Sequence, residues 1–413
     1  MKRTVTALLA ALLAVSSLAG CAAPADDLMK DITPNPVYAR ELEKVSDAAV
    51  TDFAVRLFRD SLTDGENTLI SPLSVLAALS MTANGAKGET LTQMEAVLGM
   101  PVEELNTWLH IYLANLPEAE KYKLRIANSI WFTEKDSFTV NEDFLQTNAD
   151  YYDAGIYRAP FDGSTKDAIN NWVADNTDDM IKEILDRIPE EAVMYLVNAL
   201  AFDAEWQKIY PEYAVREGEF TTEDGRTQQT EMMYAEEYSY LEDDMATGFL
   251  KYYDSRKYAF AALLPDEGVT VTEYAASLTG EHLRNMLTEY SHETVETAIP
   301  KFETEYAVEM SDILKKMGMP VAFEATADFT GLGTSTDGPV HMSRVLHKTY
   351  IKVDEKGTKA GASTVVEMVA ETAMAEEPPE PKRVYLDRPF VYMLIDCETM
   401  LPFFIGTMMD PEG

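Results

Sequence analysis

Near the C-terminus the chain reads Thr358-Lys359-Ala360-Gly361-Ala362-Ser363-Thr364-Val365-Val366-Glu367-Met368-Val369-Ala370. Every second residue of this stretch is small or apolar: Thr358, Ala360, Ala362, Thr364, Val366 and Met368. The residues between them form a mixed set that includes Lys359 and Glu367. A period of two is typical of a β-strand that buries one face. The pattern predicts that this segment can occupy a place in a sheet.

The residues that follow this stretch oppose a central strand. Positions 376–381 read Glu-Glu-Pro-Pro-Glu-Pro, and proline has no amide hydrogen to donate to a neighbouring strand. Two interpretations fit the local pattern. The segment is either an edge strand that runs into a proline-rich linker, or an exposed loop that can become a strand by entering a sheet. Side chains of small volume favour the second interpretation, because they can pass between existing strands.

A series of motifs along the chain separates the two interpretations. Examples are Asn-Thr-Leu-Ile-Ser-Pro-Leu-Ser at 67–74 and Glu-Lys-Gly-Thr at 355–358. The others lie at 83–90, 196–202 followed by Trp206, 299–302, 327–332, 345–348, 388–391 and 403–406. In this order and at these spacings they resemble the serpins, a family of serine protease inhibitors. The resemblance covers nearly the whole chain after its N-terminal segment.

The resemblance implies an α+β serpin fold for residues 41–413. We expect a large central, mainly antiparallel sheet, smaller sheets, about eight to nine helices, and an exposed reactive-centre loop at about 356–386. Local patterns agree with a mixed fold. Ser71 followed by proline predicts a helix start, and Thr90 with Gln93 suggests a capping box for a helix that ends at Gly99. An apolar stripe over 169–184 predicts another helix, and the apolar run 194–202 predicts a strand covered on both faces.

The N-terminus has the pattern of an export signal. Lys2 and Arg3 precede an apolar stretch over 5–18, and Leu-Ala-Gly-Cys follows at 18–21. This end resembles a bacterial lipobox, so we predict a signal peptide at 1–20, lipidation of Cys21 and a tether at 21–40. A plain signal peptide cut at a small residue is the alternative. The predicted location is the bacterial cell envelope or surface through the lipid anchor, or outside the cell after shedding. Cys397, the other cysteine, is expected to be a buried small hydrophobe.

Composition excludes several classes of function. The chain has 71 acidic and 34 basic residues, a formal net charge of −37, which opposes binding to nucleic acid or to anionic lipid headgroups. We therefore expect membrane contact only through the anchor. The sequence contains no Gly-x-Ser-x-Gly, His-Glu-x-x-His or Cys-x-x-Cys motif. We predict a protein that is not an enzyme and that uses no metal or cofactor.

The resemblance also implies which residues carry the function. The hinge of the loop would be Glu355, Gly357, Thr358, Ala360, Ala362 and Thr364. Ser71, Ser74, Asn198 and His347 would form a hydrogen-bonded latch beneath the sheet where strands part, and Trp206 would lie beside the hinge. From the residues alone, His347 is more simply a core histidine and Trp206 a core tryptophan.

The implied activity is that of a monomeric suicide substrate. A serine protease would cut the loop and remain attached as an acyl-enzyme while the loop enters the main sheet. The family's usual spacing from Glu355 places the cut bond at Glu371–Thr372. Because the segment before Pro389 is longer than the family norm, cleavage after Ala370 or Met374 stays open. Elastase-like or chymotrypsin-like targets are expected, with a glutamyl-specific protease for cleavage after Glu371. The alternatives are a non-inhibitory binding or chaperone-like serpin, and an inhibitor of cysteine proteases.

Overall fold

The structure is a computed structural model that describes residues 25–37, 44–116, 121–134, 138–152, 154–189, 192–336, 338–358 and 380–412. Across these ranges there are nine α-helices and nineteen β-strands in four sheets, which confirms the expected α+β serpin fold. No helix within them is both long enough and apolar enough to span a membrane.

The helices are α1 Lys44–Ser61, α2 Pro72–Ala83, α3 Gly88–Leu98, α4 Val102–Ala114, α5 Glu142–Tyr152, α6 Gly163–Asn176, α7 Val271–Ser277, α8 Gly280–Thr288 and α9 Ser311–Met317. The strands are β1 Asp26–Asp27, β2 Thr68–Ile70, β3 Tyr122–Thr133, β4 Phe138–Val140, β5 Gly155–Ala159, β6 Met194–Glu205, β7 Val215–Thr221, β8 Thr227–Glu237, β9 Tyr240–Glu242, β10 Ala246–Tyr252, β11 Tyr258–Pro265, β12 Val295–Pro300, β13 Phe302–Glu309, β14 Gly333–Ser335, β15 Arg344–Val353, β16 Gly357–Thr358, β17 Lys382–Tyr385, β18 Phe390–Asp396 and β19 Leu401–Met408.

The largest sheet has seven strands in the order β1-β5-β3-β6-β16-β15-β13. Its centre is β6, which pairs with β3 along eleven residues, from Met194 to Ala204. Alternate residues of β6 enter two different cores. Leu196 and Leu200 pack into the main core, and Tyr195 and Val197 pack beneath α6 on the opposite face. This two-sided burial explains the apolar run at 194–202, as predicted.

The remaining strands cover the main sheet and support its ends. A six-stranded sheet, β2-β19-β18-β11-β10-β9, packs with the helices around the main core. A four-stranded sheet, β17-β12-β8-β7, lies beside it, and β14 pairs with β4. Because β17 follows the segment 359–379 in sequence, this four-stranded sheet anchors the C-terminal end of the predicted loop.

Several local predictions need correction. The helix predicted over 169–184 ends with α6 at Asn176, because Asp178 and Asp179 adopt positive φ values of 50° and 60°. Ile181 still packs into the core beneath α6, so the apolar stripe reflects burial rather than continuous helix. Thr90 lies inside α3 instead of capping it, while Gly99 ends that helix at φ 87° as predicted.

Two predicted boundaries also differ from the observed elements. The loop range 356–386 overlaps β16 and β17, so the part without described structure is 359–379. Within the predicted tether, Asp26 and Asp27 pair with β5 at the edge of the main sheet, and Leu28 N donates to Ile156 O at 2.9 Å. The segment 25–37 is therefore part of the folded body.

Candidate functional site: an incomplete sheet and its hinge

Along the middle of β6 and β15, none of the residues that the structure describes forms a strand between them. The two strands pair directly, in parallel, only where 195–198 of β6 face 344–347 of β15. Over the next residues, 199–203 and 348–352, β6 pairs only with β3 and β15 only with β13 in the ranges that the structure describes. The facing edges of 199–203 and 348–352 form an opening that we call the sheet gap. At its far end the sheet gap is one strand wide, because β16 pairs with both β6 and β15 there.

The far end of the sheet gap holds the start of the predicted loop. Gly357 and Thr358 form β16, which is antiparallel to both neighbours. Thr358 lies opposite Val353 on one side and Ala204 on the other. A strand that continued beyond Thr358 in the same direction would run into the gap.

Thr358 shows which face of such a strand points inward. Its side chain is buried, and its Oγ1 lies 2.6 Å from the hydroxyl of Tyr253. Gly357 sits against the backbone of β6, where an added Cβ would lie 2.0 Å from Ala204 O. Only glycine permits this close approach, which accounts for its presence in the hinge.

The side chain of Asp354 stabilises the turn before β16. Asp354 Oδ1 accepts hydrogen bonds from the amides of Lys356 and Gly357, at 2.8 and 3.3 Å. The Asp354 amide in turn donates to Gly357 O at 3.0 Å. Such side-chain-to-backbone bonds stabilise tight turns. The chain therefore reverses between β15 and β16 in a fixed geometry.

Trp206 lies at this turn and holds it from the body of the protein. Its indole Nε1 donates to Asp354 O and its amide to Lys356 O, both at 2.8 Å. The ring stacks on Tyr253 at a centroid distance of 4.4 Å and is 2% exposed. Four residues later, the amide of Tyr210 donates to Glu355 O at 2.9 Å. The segment 206–210 thus clamps the hinge turn.

A charge pair adds to the clamp. Lys301 Nζ lies 2.9 Å from Glu355 Oε2 and 3.4 Å from a carboxylate oxygen of Glu231. The hydrogen bond from Lys301 lowers the pKa of Glu355. Glu355 is partly exposed, so the pair contributes little to the free energy of unfolding and mainly orients the turn.

The closed end of the sheet gap contains a buried polar network. Asn198 and His347 lie on the last directly paired rung, and His347 Nδ1 is 2.8 Å from Asn198 Oδ1. The same oxygen accepts a hydrogen bond from Ser74 Oγ. Asn198 Nδ2 donates to Asn128 Oδ1 on β3. The amide of Asn198 therefore joins α2, β3, β6 and β15.

His347 completes the network in one protonation state. Its Nε2 accepts a hydrogen bond from the amide of Ser71 at 3.0 Å, so the ring proton belongs on Nδ1, where it faces the Asn198 oxygen. Burial lowers the pKa of His347 to about 3. A second proton would place two donors against each other at Ser71. The neutral imidazole therefore fits the closed network and the charged form does not.

The structure brings together two groups of the predicted residues. Ser71, Ser74, Asn198 and His347 form the network just described, and Trp206 contacts the turn that contains Glu355 and Gly357. The other predicted residues lie outside the described ranges: Cys21, Ala360, Ala362, Thr364, Ala370, Glu371, Thr372 and Met374.

Several contributing residues were not predicted from the sequence, namely Asn128, Tyr253, Asp354 and Lys301. Asn128 offered a signal, since it is a polar residue within a strand and lies opposite Asn198 in the register. The contacts of Tyr253 and Lys301 with the hinge join residues distant in sequence and carry no local signature. Within the described part of the chain, no group of three or more His, Cys, Asp or Glu side chains could hold a metal ion. Cys397 is a free, half-buried thiol whose pKa burial raises to about 12.

The sheet gap, the hinge turn at its mouth and the buried polar network at its closed end together make up the candidate site. The family described as "Serpin (serine protease inhibitor)" matches residues 48–411. The chain belongs to the serpin family.

Individual relatives show how far the similarity extends. The thermophilic serpin tengpin in its native state is 46% identical, with a TM-score of 0.89 over 94% of this chain and 99% of that one. Tengpin in its latent state is 43% identical, with a TM-score of 0.80 over 90% and 99% of the two chains. An uncharacterized serpin-like protein of Thermococcus kodakarensis is 29% identical over 88% of this chain and 85% of its own length. The leukocyte elastase inhibitor of Bos taurus is 29% identical over 90% of this chain and all of its own.

Proposed function

We propose that this protein is an inhibitory serpin that traps a serine protease as a covalent acyl complex. Serpins are typically protease inhibitors rather than enzymes. The observation that carries the proposal is the sheet gap, which is bordered by two strands and entered by Thr358. The higher TM-score to native than to latent tengpin supports a native-like arrangement of the main sheet.

The proposed chemistry is an acyl transfer to the protease serine that stops at the acyl-enzyme. The protease serine oxygen attacks the carbonyl carbon of the loop's cut bond, and the C–N bond breaks. The new amino terminus leaves with the C-terminal part of the chain, which stays folded through β17, β18 and β19. The N-terminal part of the loop keeps the ester to the protease. Hydrolysis by water would then release the protease, unless its active site is distorted first.

Insertion of the loop supplies the free energy for that distortion. Five residues on each edge of the sheet gap would gain a partner strand. About ten new backbone hydrogen bonds, each contributing roughly 0.5–1.5 kcal/mol net, would make insertion strongly favourable. The polar network at the closed end must open for the strand to pass. It therefore sets the activation barrier to insertion rather than the free-energy difference between the two forms.

The alternation of side chains between the two faces of a strand supports insertion of this particular loop. Thr358 points inward, and alternation would place Ala360, Ala362, Thr364, Val366 and Met368 on the same face. None of these side chains is charged. A charge at one of them would oppose insertion, because the inward face that Thr358 shares packs on the hydrophobic core that contains Tyr253.

The test uses the same substitution at two adjacent positions, which would lie on opposite faces of the inserted strand. Ala362→Arg places a charge on the predicted inward face, and Ser363→Arg places the same charge on the outward face. Each variant is incubated with elastase and chymotrypsin, and complexes are separated on denaturing gels. We expect Ser363→Arg and the wild type to form detergent-stable complexes and Ala362→Arg to be cut without forming one. Equal behaviour of the two variants would reject insertion in this register.

A second measurement separates an inhibitor from a non-inhibitory serpin. Cleavage of the loop by a protease that is not trapped allows insertion without a complex. An inhibitor should then unfold at a much higher temperature than the intact protein, because the sheet is complete. An unchanged thermal midpoint after cleavage would favour the binding or chaperone-like alternative.

The target protease and cut bond form a finer part of the proposal. Glu371–Thr372 follows from family spacing, with cleavage after Ala370 or Met374 as alternatives. Similarity to the leukocyte elastase inhibitor supports an elastase-like target. The mass of the C-terminal peptide released from each complex identifies the bond directly. A complex with papain instead would support the cysteine-protease alternative.

We also propose that the protein is exported and anchored through lipid on Cys21, and acts as a monomer. The basic N-terminus, the apolar stretch and Leu-Ala-Gly-Cys support this. Metabolic labelling with a fatty acid should mark the wild type and leave Cys21→Ser unlabelled. Label that persists in Cys21→Ser would argue against lipidation at this residue.

A further inference from the structure

A small cavity beside the hinge carries positive charge in an otherwise acidic protein. It has a volume of about 200 Å³ and lies between the segment 206–210, the end of β8 and the end of β10. Three cationic side chains line it, Lys208, Lys251 and Arg256, against one carboxylate, that of Glu237. We call this cavity the basic pocket. Its charge contrasts with the net charge of −37 of the whole chain.

The buried floor of the basic pocket is already neutral. Lys251 Nζ lies 2.8 Å from Glu237 Oε1, and the lysine side chain is 2% exposed. The same ammonium group lies 4.2 Å from the centre of the Tyr210 ring and donates to Lys208 O at 3.3 Å. Glu237 therefore forms its ion pair with Lys251. As a result, the carboxylate of the pocket does not compensate the charges of Lys208 and Arg256.

Aromatic rings, rather than carboxylates, hold those two cations. Lys208 Nζ lies 5.0 Å from the centre of the Tyr238 ring, and Arg256 Cζ lies 4.1 Å from the centre of the Tyr252 ring. Neither cation forms an ion pair with a carboxylate of the described ranges. Ring contacts position a cation without neutralising it or using its N–H donors. Both head groups therefore keep donors free for a ligand.

The backbone around Arg256 is strained. Ser255 and Arg256 adopt φ values of 64° and 59°, in the left-handed region that favours glycine. Two consecutive residues of this kind form the turn between β10 and β11. Strained backbone of this sort clusters at binding sites, where it aims a side chain. Here it presents the guanidinium group over Tyr252 at the mouth of the pocket.

We propose that the basic pocket binds one sulfate or phosphate group. The planar fork of Arg256 matches two oxygens of a tetrahedral anion, and the Lys208 ammonium supplies a compact second charge. Ser239 Oγ, on the wall 3.5 Å from the Tyr252 hydroxyl, adds one polar hydrogen, whereas the Tyr252 hydroxyl donates to Tyr290 at 3.2 Å. The acidic surface around the pocket repels long polyanions, which favours a small ligand. The group could belong to a free ion or to a small sulfated sugar.

The position of the pocket connects it to the hinge. Lys208 lies between Trp206 and Tyr210, whose amides hold Lys356 O and Glu355 O. The amide of Gln207 also donates to Tyr252 O at 3.0 Å. An anion bridging Lys208 and Arg256 would thus tie the clamp segment to the turn after β10.

Chemical protection of Arg256 tests the proposal on the intact full chain. Phenylglyoxal modifies arginine, and peptide mass mapping gives the rate at each position. Inorganic phosphate and a small sulfated oligosaccharide are compared with chloride at matched ionic strength. Modification of Arg256 should slow about fourfold when the probe is at about three times its Kd, because protection follows 1 + [L]/Kd. Arg187, an exposed arginine outside the pocket, should react at an unchanged rate.

Matched variants decide whether the effect is local. Lys208→Ala should abolish protection of Arg256, whereas Lys182→Ala, which removes another exposed lysine, should retain it. Both side chains are exposed, and thermal unfolding verifies that each variant folds. Protection by the oligosaccharide at far lower concentration than by phosphate would assign the group to a sugar, and equal protection to a free ion. No protection by either probe, equal slowing at Arg187, or full protection in Lys208→Ala would overturn the proposal.

Discussion

His347 and Asn198 face each other on the last rung at which β6 and β15 pair directly, with Nδ1 of the imidazole 2.8 Å from Oδ1 of the amide. Among the residues that the structure describes, the two strands share no partner beyond this rung until Thr358. The contact therefore marks the boundary between the closed and the open part of the sheet. A strand that enters the sheet gap must displace it.

Acid should weaken the native fold through His347. Its folded pKa is about 3, below the ordinary value of 6.5, so the unfolded chain binds the proton first. The contribution to the free energy of unfolding is complete above pH 6.5 and declines as the pH falls towards 3. At pH 5 we expect a loss of about 2 kcal/mol from this group, at about 1.4 kcal/mol per pH unit.

Urea unfolding of the wild type and of His347→Gln, measured at several pH values, isolates this effect. Glutamine does not titrate, so the variant should lack the extra slope between pH 5 and 6.5. The carboxylates of the chain contribute equally to both proteins and cancel in the comparison. Identical slopes would show that His347 is not neutral in the fold.

Asn198 should be the most sensitive member of the polar network. Its Oδ1 accepts from both Ser74 and His347, so Asn198→Ala leaves two buried donors without an acceptor. We expect a loss of about 2–4 kcal/mol, at about 1–3 kcal/mol for each unsatisfied group. Asn128→Ala removes one bond at a less buried position and is the matched control. Urea midpoints check the order, which a larger loss for Asn128→Ala would contradict.

Gly357→Ala should displace β16 from β6. The added Cβ would lie 2.0 Å from Ala204 O, a distance that backbone atoms cannot accommodate without moving. Hydrogen exchange of the hinge peptide 354–358 should become faster. Gly163→Ala is the control, because a Cβ there meets nothing within 4 Å. Unchanged exchange in Gly357→Ala would mean that the hinge is not seated as described.

Removing one partner of the buried Lys251–Glu237 pair should destabilise the fold, whereas removing both partners should cost much less. Lys251→Met leaves a carboxylate that is 10% exposed without its partner, so we expect a loss of about 3–5 kcal/mol. The double variant Lys251→Met with Glu237→Met should recover most of that loss. Urea unfolding of the single and double variants forms the cycle. Additive losses would show that the two groups do not interact.

Much of the fold could be predicted from sequence because its signals are local. The apolar run at 194–202 identified a strand buried on both faces, and Ser71 with the following proline marked the start of α2. The alternation that begins at Thr358 predicts that this residue points inward, and its side chain is buried. Local patterns were weaker over 177–184, where Ile181 is buried in the core but the segment is not helical.

The candidate site was predictable only through the family resemblance. Ser71 and His347 are separated by 276 positions, and nothing in either neighbourhood indicates the other. The same is true of Tyr253 and Thr358, which are 105 positions apart. Such contacts depend on strand register and helix placement, which local propensity does not encode.

By itself, the sequence determined the period of each strand, the small uncharged residues at alternate positions from Thr358 and the excess of acidic side chains, since these follow from the order of residues along the chain. Only the tertiary structure decided that β6 and β15 separate after Asn198 and His347, that Trp206 holds the hinge turn, and that Lys208 and Arg256 line one cavity beside it. The physical reason is that these features depend on distances between segments remote in sequence. The packing of whole sheets and helices sets those distances.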